Sequence, residues 1–200
     1  MQRVVAFIDG FNLYHGLRHK HGRKYLWLDL EALVTSLLTA QQQLAAVKYF
    51  TARVRNAPDS EQRQSDYIDA LVAHSTKLEV VDGRFQEKDR HCCNCQSTWT
   101  VYEEKETDVS IAVALIEAGV NDEFDVALIL SADSDLCPAV RALGRLRPEK
   151  QVVAAFPPRR RSGELRQGRH CHRRDAGTPG SLGVARPRRP GSESFERASG

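Results

Sequence analysis

An α/β fold built on a mostly parallel central sheet is the reading that three observations support. Strand-like apolar runs alternate with amphipathic helical patterns along nearly the whole chain. The runs at 4–9 and 124–130 carry hardly a charge, as strands covered on both faces must. Both lead into aspartate just before a helix, and in such folds ligands collect outside the carboxyl ends of the strands.

Taken in order, the predicted strands are 4–9, 47–53, 78–85, 124–130 and 151–156, each rich in Val, Ile or aromatic residues. Helical patterns fall between them at 11–20, 29–40, 60–76, 107–118 and 136–146. In the third helix Tyr67, Ile68, Leu71 and Val72 are expected on the inner side. In the fourth, Val109, Ala112, Val113 and Ile116 mark the inner face, Thr107 reads as the cap, Asp108 sits in the first turn and Gly119 is a natural stop. The polar stretch QEKDRHCCNCQSTWT, residues 86–100, interrupts this alternation and is expected to form a protruding hairpin or knuckle.

The chain has 200 residues, 41% of them hydrophobic, enough for one domain of ordinary size at 1–156. No apolar run reaches the roughly 20 residues of a membrane span, and the first residues lack a charged-then-apolar leader, so a cytoplasmic protein without membrane partners is expected. Five cysteines, three of them in HCCNC, do not resemble a secreted disulfide framework. Reduced thiols or a metal are the expectation.

Charge is unevenly spread. Residues 1–150 hold 18 lysines and arginines against 22 acids, a net −4, while the last fifty hold 11 against 4, a net +7. From 157 to 200 the chain is dense in Arg, Gly, Pro and Ser without a periodic apolar face, and disorder is expected there. The same bias fits a shifted reading frame in a GC-rich gene, a hypothesis that resequencing the locus decides; a tail of that origin carries no evolved function.

Asp9, Asp108, Asp133 and Asp135 come from three segments that an α/β fold brings to one rim. Each has a structural alternative as a turn or first-turn residue. Gathered together, four carboxylates repel unless some are protonated or a divalent cation neutralises them. An oxygen-only donor set suits Mg²⁺ or Mn²⁺ rather than zinc, and the chemistry it serves is phosphodiester hydrolysis.

The segments FIDGFNLYHG, EEKETDVSIAVALIEAG and FDVALILSADSDLCPAVRAL, in this order and spacing, resemble the NYN domain, the LabA-like branch of the PIN-like nucleases, over residues 3–156. The resemblance implies a Rossmann-like three-layer PIN fold and a metal-dependent ribonuclease whose aspartates match Asp9, Asp108, Asp133 and Asp135. It places Asn12 on the asparagine of the D-G-x-N pattern, where the amide would orient a carboxylate or a bound water, with helix capping as the alternative. Ser131 falls on the serine of the S-G-D-S-D block and would bond an acid or a phosphate. Two departures are visible. Ala132 stands where glycine is usual, which would misplace Asp133 if a positive φ were needed, and nothing after Phe156 resembles the further helix and sheet element that NYN domains carry.

Weaker signals surround this set. Arg18, His19, Lys20, His21, Arg23 and Lys24 form a basic stretch suited to RNA phosphates, or a solvated loop. Tyr14, Tyr25 and Trp27 beside it could stack bases or belong to the core. Lys105, three residues before Asp108, could neutralise a phosphate or pair with Glu103 or Glu104. Cys92 and Cys95 make half of a zinc knuckle, completed by His91 and a distant residue or by a homodimer; free or redox-active thiols are the alternative.

A phosphatase with an aspartyl nucleophile would want a second acid in Asp9-Gly10-Phe11, and a dinucleotide enzyme would want G-x-G-x-x-G after a strand; neither is present. The competing class is a catalytically silent PIN-like module that binds RNA or a protein.

Overall fold

A computed structural model describes residues 1–55, 57–158, 162, 165 and 171–175, the side chains of 84–86, 101–105 and 171–175 excepted. The strands are β1 (Gln2–Asp9), β2 (Gln42–Ala52), β3 (Leu78–His91), β4 (Thr98–Lys105), β5 (Val126–Leu130), β6 (Gln151–Phe156) and β7 (Cys171–Asp175). The helices are α1 (Gly10–His21), α2 (Leu30–Leu37), α3 (Pro58–His74), α4 (Thr107–Val120) and α5 (Cys137–Leu146), with a 3₁₀ turn at Ser134–Leu136. They form one sheet in the order β4-β3-β2-β1-β5-β6-β7, parallel throughout except for the β3–β4 hairpin.

β1 lies at the middle with every residue from Val4 to Asp9 buried. Its alternation feeds both faces. Val4, Ala6 and Ile8 join Leu13, Leu30, Val34 and Ile68 on the side of α1, α2 and α3. Val5 and Phe7 join Ile111, Leu115, Leu136 and Leu143 on the side of α4 and α5. Two apolar layers around one sheet make the three-layer α/β architecture, and they explain why β1 and β5 read as uninterrupted apolar runs.

From β1 the chain moves one way to β2 and the other way to β5, so the strand order reverses at this pair. The crevice outside their carboxyl ends is therefore the topological switch point, where open α/β sheets bind ligands.

The structure departs from the sequence expectations in four places. α4 buries Ile111, Leu115 and Ala118, packs the expected Ala112 and Ile116 only partly on the core, and leaves Val109 and Val113 exposed; the helix is apolar on nearly every side, so periodicity could not fix its phase. Its cap is Glu106, in the left-handed region at φ 75°, and not Thr107, which is buried in the first turn. Val72 on α3 is exposed rather than inward.

The fourth departure lies beyond 156. Pro157, Pro158, Ser162 and Leu165 are buried, and β7 adds a parallel strand to β6 where disorder was expected. The Pro157 ring lies so close to α1 that a side chain at Gly16 would stand 2.8 Å from it. An edge strand is held by backbone bonds along one side, so Cys-His-Arg-Arg-Asp needs no apolar alternation to pair. The rest of the basic tail lies outside the described residues.

Candidate active site

Asp9 ends β1 and caps α1: its Oδ1 accepts the backbone N–H of Asn12 at 2.9 Å. Its Oδ2 accepts the hydroxyl of Ser131 at 2.9 Å, from the end of β5. The carboxylate is only 4% exposed. Burial raises its pKa above the usual aspartate range, the bonds from Asn12 and Ser131 oppose that rise, and the charge of Asp133 adds to it.

The Ser131 hydroxyl also accepts the backbone N–H of Asp133 at 3.1 Å, and Asp133 in turn accepts the backbone N–H of Asp135 at 2.9 Å, capping the 3₁₀ turn. This chain of bonds is why serine and aspartate follow the strand: each satisfies an amide left over where regular structure ends. Ser131 is fully buried, with its hydroxyl bonded to the Asp9 carboxylate and to the Asp133 amide.

Asn12 is buried and holds the two corners together. Its side-chain carbonyl accepts the N–H of Ala132 at 3.4 Å, and its side chain also bonds the Asp9 carboxyl. Ala132 does not adopt a positive φ, so alanine is accommodated where glycine was expected. Gly10, by contrast, has no room for a side chain: a Cβ would stand 2.7 Å from the Phe50 carbonyl and 2.9 Å from the Tyr49 ring.

Asp108 enters from the first turn of α4. Burial, then the charges of Asp133, Asp9 and Asp135, raise its pKa to about 6. The fold thus brings together all four aspartates that the sequence singled out, close enough that three of them act on the fourth. Among the described residues no group of three or more acidic, histidine or cysteine side chains is arranged to hold a metal ion as it stands. The donor chemistry nevertheless fits a hard divalent cation: carboxylate oxygens that repel one another, without histidine or thiolate among them.

Lys20, Arg23 and Lys24 are exposed on the stretch that ends α1 and follows it, with Lys24 5.2 Å from the centre of the Tyr25 ring. The Lys105 side chain lies outside the described residues. Tyr25 packs on the core, while Tyr14 and Trp27 are 39% and 44% exposed. These two line a pocket of about 440 Å³ next to Asp9, together with Gly10, Arg18, Arg23, Arg63 and Tyr67. Sequence reading missed the contribution of α3 to it, since Tyr67 fits the helix's core face and nothing in the pattern distinguishes Arg63 from a solvated arginine.

The cysteine-bearing segment is the tip of the β3–β4 hairpin, as its polarity suggested. Cys92 and Cys95 are close enough for their side chains to bond, and the Ser97 hydroxyl lies 2.9 Å from the Cys95 sulfur. His91 bonds Thr98 through Nδ1 at 2.9 Å. The hairpin therefore presents two sulfurs, half of a structural zinc set.

An open, mostly parallel sheet with acids at its switch point defines an α/β protein of the PIN-like, Rossmann-like type. The chain matches the NYN domain over residues 3–171 and belongs to that family, within the PIN-like nuclease superfamily. A crystal structure of a protein of unknown function from Vibrio parahaemolyticus shares the fold, with a TM-score of 0.57 at 18% identity over 86% of this chain and 92% of that one. The chain is also similar to 6-hydroxy-3-succinoylpyridine 3-monooxygenase from Pseudomonas putida, 28% identical over 70% of this chain. It spans 55% of that protein's length, and the named activity is that protein's. No helix among the described residues is long and apolar enough to cross a membrane.

Proposed function

We propose that this protein is a metal-dependent endoribonuclease of the cytoplasm, hydrolysing RNA phosphodiester bonds at the rim formed by Asp9, Asp108, Asp133 and Asp135. The observation that carries the reading is the gathering of four aspartates where β1 and β5 end and α4 begins, close enough that burial and the other three acids push the Asp108 pKa up to about 6. A site that holds carboxylates against their own repulsion is suited to a cation. Asp9, Asp108, Asp133 and Asp135 would hold Mg²⁺ or Mn²⁺, which when bound supplies Lewis-acid activation of the phosphoryl group and of water.

The chain's own residues supply the rest. Ser131 and Asn12 fix Asp9, and Ser131 fixes the turn that carries Asp133 and Asp135. Asp108, half-buried beside three anions, accepts a proton near neutral pH more readily than an exposed aspartate would. Exposed Lys20, Arg23 and Lys24 draw the RNA backbone toward an otherwise acidic surface.

The second reading, a module that holds RNA or a protein partner without cutting, draws on the finding that no three of these side chains, among the described residues, are arranged to hold a metal ion as they stand. One experiment separates the two: cleavage of single-stranded RNA with Mn²⁺ or Mg²⁺, wild type beside Asp133→Asn and Asp135→Asn. Metal-dependent cleavage that survives unchanged in either purified variant would sink the enzyme reading.

A further inference from the structure

We infer that the pocket beside the acidic rim is a binding site for one unpaired nucleotide, its base held between Tyr14 and Trp27 and its phosphate by the arginines at the mouth. The inference rests on the RNA reading above only for the source of that nucleotide. Three features carry it.

The first is the composition of the walls. Arg18, Arg23 and Arg63 line the pocket, and among the described residues no aspartate or glutamate does, although residues 1–150 as a whole carry a net −4. An anionic ligand is the complement of such a lining. Arginine in particular suits phosphate, since its planar fork can donate two parallel bonds.

The second is the pair of aromatic rings left open to solvent. Tyr14 and Trp27 are 39% and 44% exposed while each holds a ring contact, Tyr14 with His15 and Trp27 with Tyr67. The Trp27 ring is braced edge-on against Tyr67, at 5.9 Å between centres and 83° between planes, and Tyr67 is itself anchored by its hydroxyl to the Leu28 carbonyl at 2.7 Å. Tyr14 is steadied by Arg18, which donates to its hydroxyl at 3.2 Å. Braced, exposed rings are what base stacking requires, because every base has a face to offer and little side-chain freedom is lost.

The third is location and size. A volume of about 440 Å³ lies in the range of small-ligand sites. Gly10 and Phe11, the residues that follow Asp9, form part of the wall, so the pocket begins one residue beyond the aspartate that ends β1. The packing that forbids a side chain at Gly10 involves the Tyr49 ring, another lining residue. Pocket and rim therefore share one backbone corner.

The test is a titration of the full chain carrying Trp99→Phe, so that Trp27 is the remaining tryptophan, in EDTA to suppress metal-dependent cleavage. Adenosine monophosphate, uridine monophosphate, the parent nucleosides and pentauridylate are the probes. Saturable change in Trp27 emission by the monophosphates, with nucleosides at least about ten-fold weaker, is expected. Adding Arg63→Gln should weaken the monophosphates about ten-fold and leave the nucleosides where they were; Tyr14→Ala should weaken both.

Pentauridylate that competes with the monophosphate assigns the site to an RNA strand; a monophosphate that pentauridylate cannot displace assigns it to a free nucleotide. Either supports the site. No saturable change in a chain folded by circular dichroism, equal binding of nucleoside and monophosphate, or binding indifferent to Arg63→Gln and Tyr14→Ala overturns it. The titration runs in EDTA, where no metal-dependent cleavage occurs, so loss of cleavage and loss of nucleotide binding are told apart.

Discussion

Ser131 donates its hydroxyl to Asp9 at 2.9 Å across 122 residues of sequence, joining the ends of the two adjacent strands β1 and β5. Because Ser131 is fully buried and Asp9 nearly so, this bond is sheltered from water and each partner depends on the other. Ser131→Ala removes a donor from a buried carboxylate and an acceptor from the Asp133 amide. The expected loss is about 1–3 kcal/mol of stability, with RNA cleavage reduced more than RNA binding. Chemical denaturation beside a cleavage assay and a binding assay in EDTA checks this, and an unchanged midpoint with unchanged cleavage would contradict it.

Asp108 yields a prediction of opposite sign for stability. Its pKa in the folded chain is about 6, against the model-compound value of 3.8. A raised acid favours the fold when protonated, so its contribution is fully present below pH 3.8 and is lost as pH rises through about 6. Asp108→Asn, always neutral, should therefore be more stable than wild type at pH 8 in EDTA. The full shift of about two units would correspond to roughly 3 kcal/mol, which screening at this half-exposed position reduces to about 1–2 kcal/mol. The gain should vanish near pH 4, while cleavage is lost at every pH. Denaturant midpoints at the two pH values decide the matter.

The same repulsion predicts how the chain responds to metal. At pH 8, millimolar Mn²⁺ should raise the melting temperature of wild type by several degrees, since any ligand that binds the folded chain alone stabilises it. In Asp133→Asn the rise should fall to less than half, and Ca²⁺, larger and less demanding of geometry, should produce a smaller one in wild type. Equal shifts in the wild type and the variant would place the bound metal away from the aspartates.

Much of this site was legible because its signals are local. An apolar strand that ends in aspartate announces both the strand and the acid; two such places named Asp9, Asp133 and Asp135, and the first turn of an apolar helix named Asp108, before their proximity was seen. What stayed hidden depends on juxtaposition. The role of Ser131 as a bond between strands, and that of Asn12 as a tie to Ala132, require knowing that β1 and β5 are neighbours. The pocket needs α3 beside α1, and in α3 Arg63 and Tyr67 look like any solvated arginine and any core tyrosine. The inner face of α4 was hidden for another reason, since a helix apolar on nearly every side has no phase to read.

The hairpin tip predicts a reactive thiol. Hydrogen bonds from Ser97 and then from Cys92 lower the pKa of Cys95 to about 7, and the residue is exposed. A thiolate fraction near one half at pH 7 makes Cys95 the first cysteine among the described residues to react with a disulfide reagent; Cys137, buried, should be the last. Ser97→Ala should slow the fast phase several-fold at pH 7 and less at pH 9. Prior addition of zinc that abolished the fast phase, with a stoichiometry of one ion per two chains, would show the half-site completed by a second copy.

Past Phe156 the expectation of disorder gives way to packing: residues that composition set outside the domain are buried against it. Leu165 is 1% exposed and packs in the layer that holds Ile111, Leu115, Leu136 and Leu143, beneath α4 and α5. Pro157 and Pro158 close on α1 at Gly16, on the opposite side of the sheet. Leu165→Ala should cost about 2–4 kcal/mol, as a large-to-small change in a packed core does. Ending the chain after Phe156 removes Leu165, both prolines and β7 together, leaving the outer edge of β6 open to aggregation. The shortened chain should melt well below the full one and associate at micromolar concentration. Melting curves and sedimentation of the two chains check this, and equal stability of the shortened chain would mean that the segment after 156 contributes no packing.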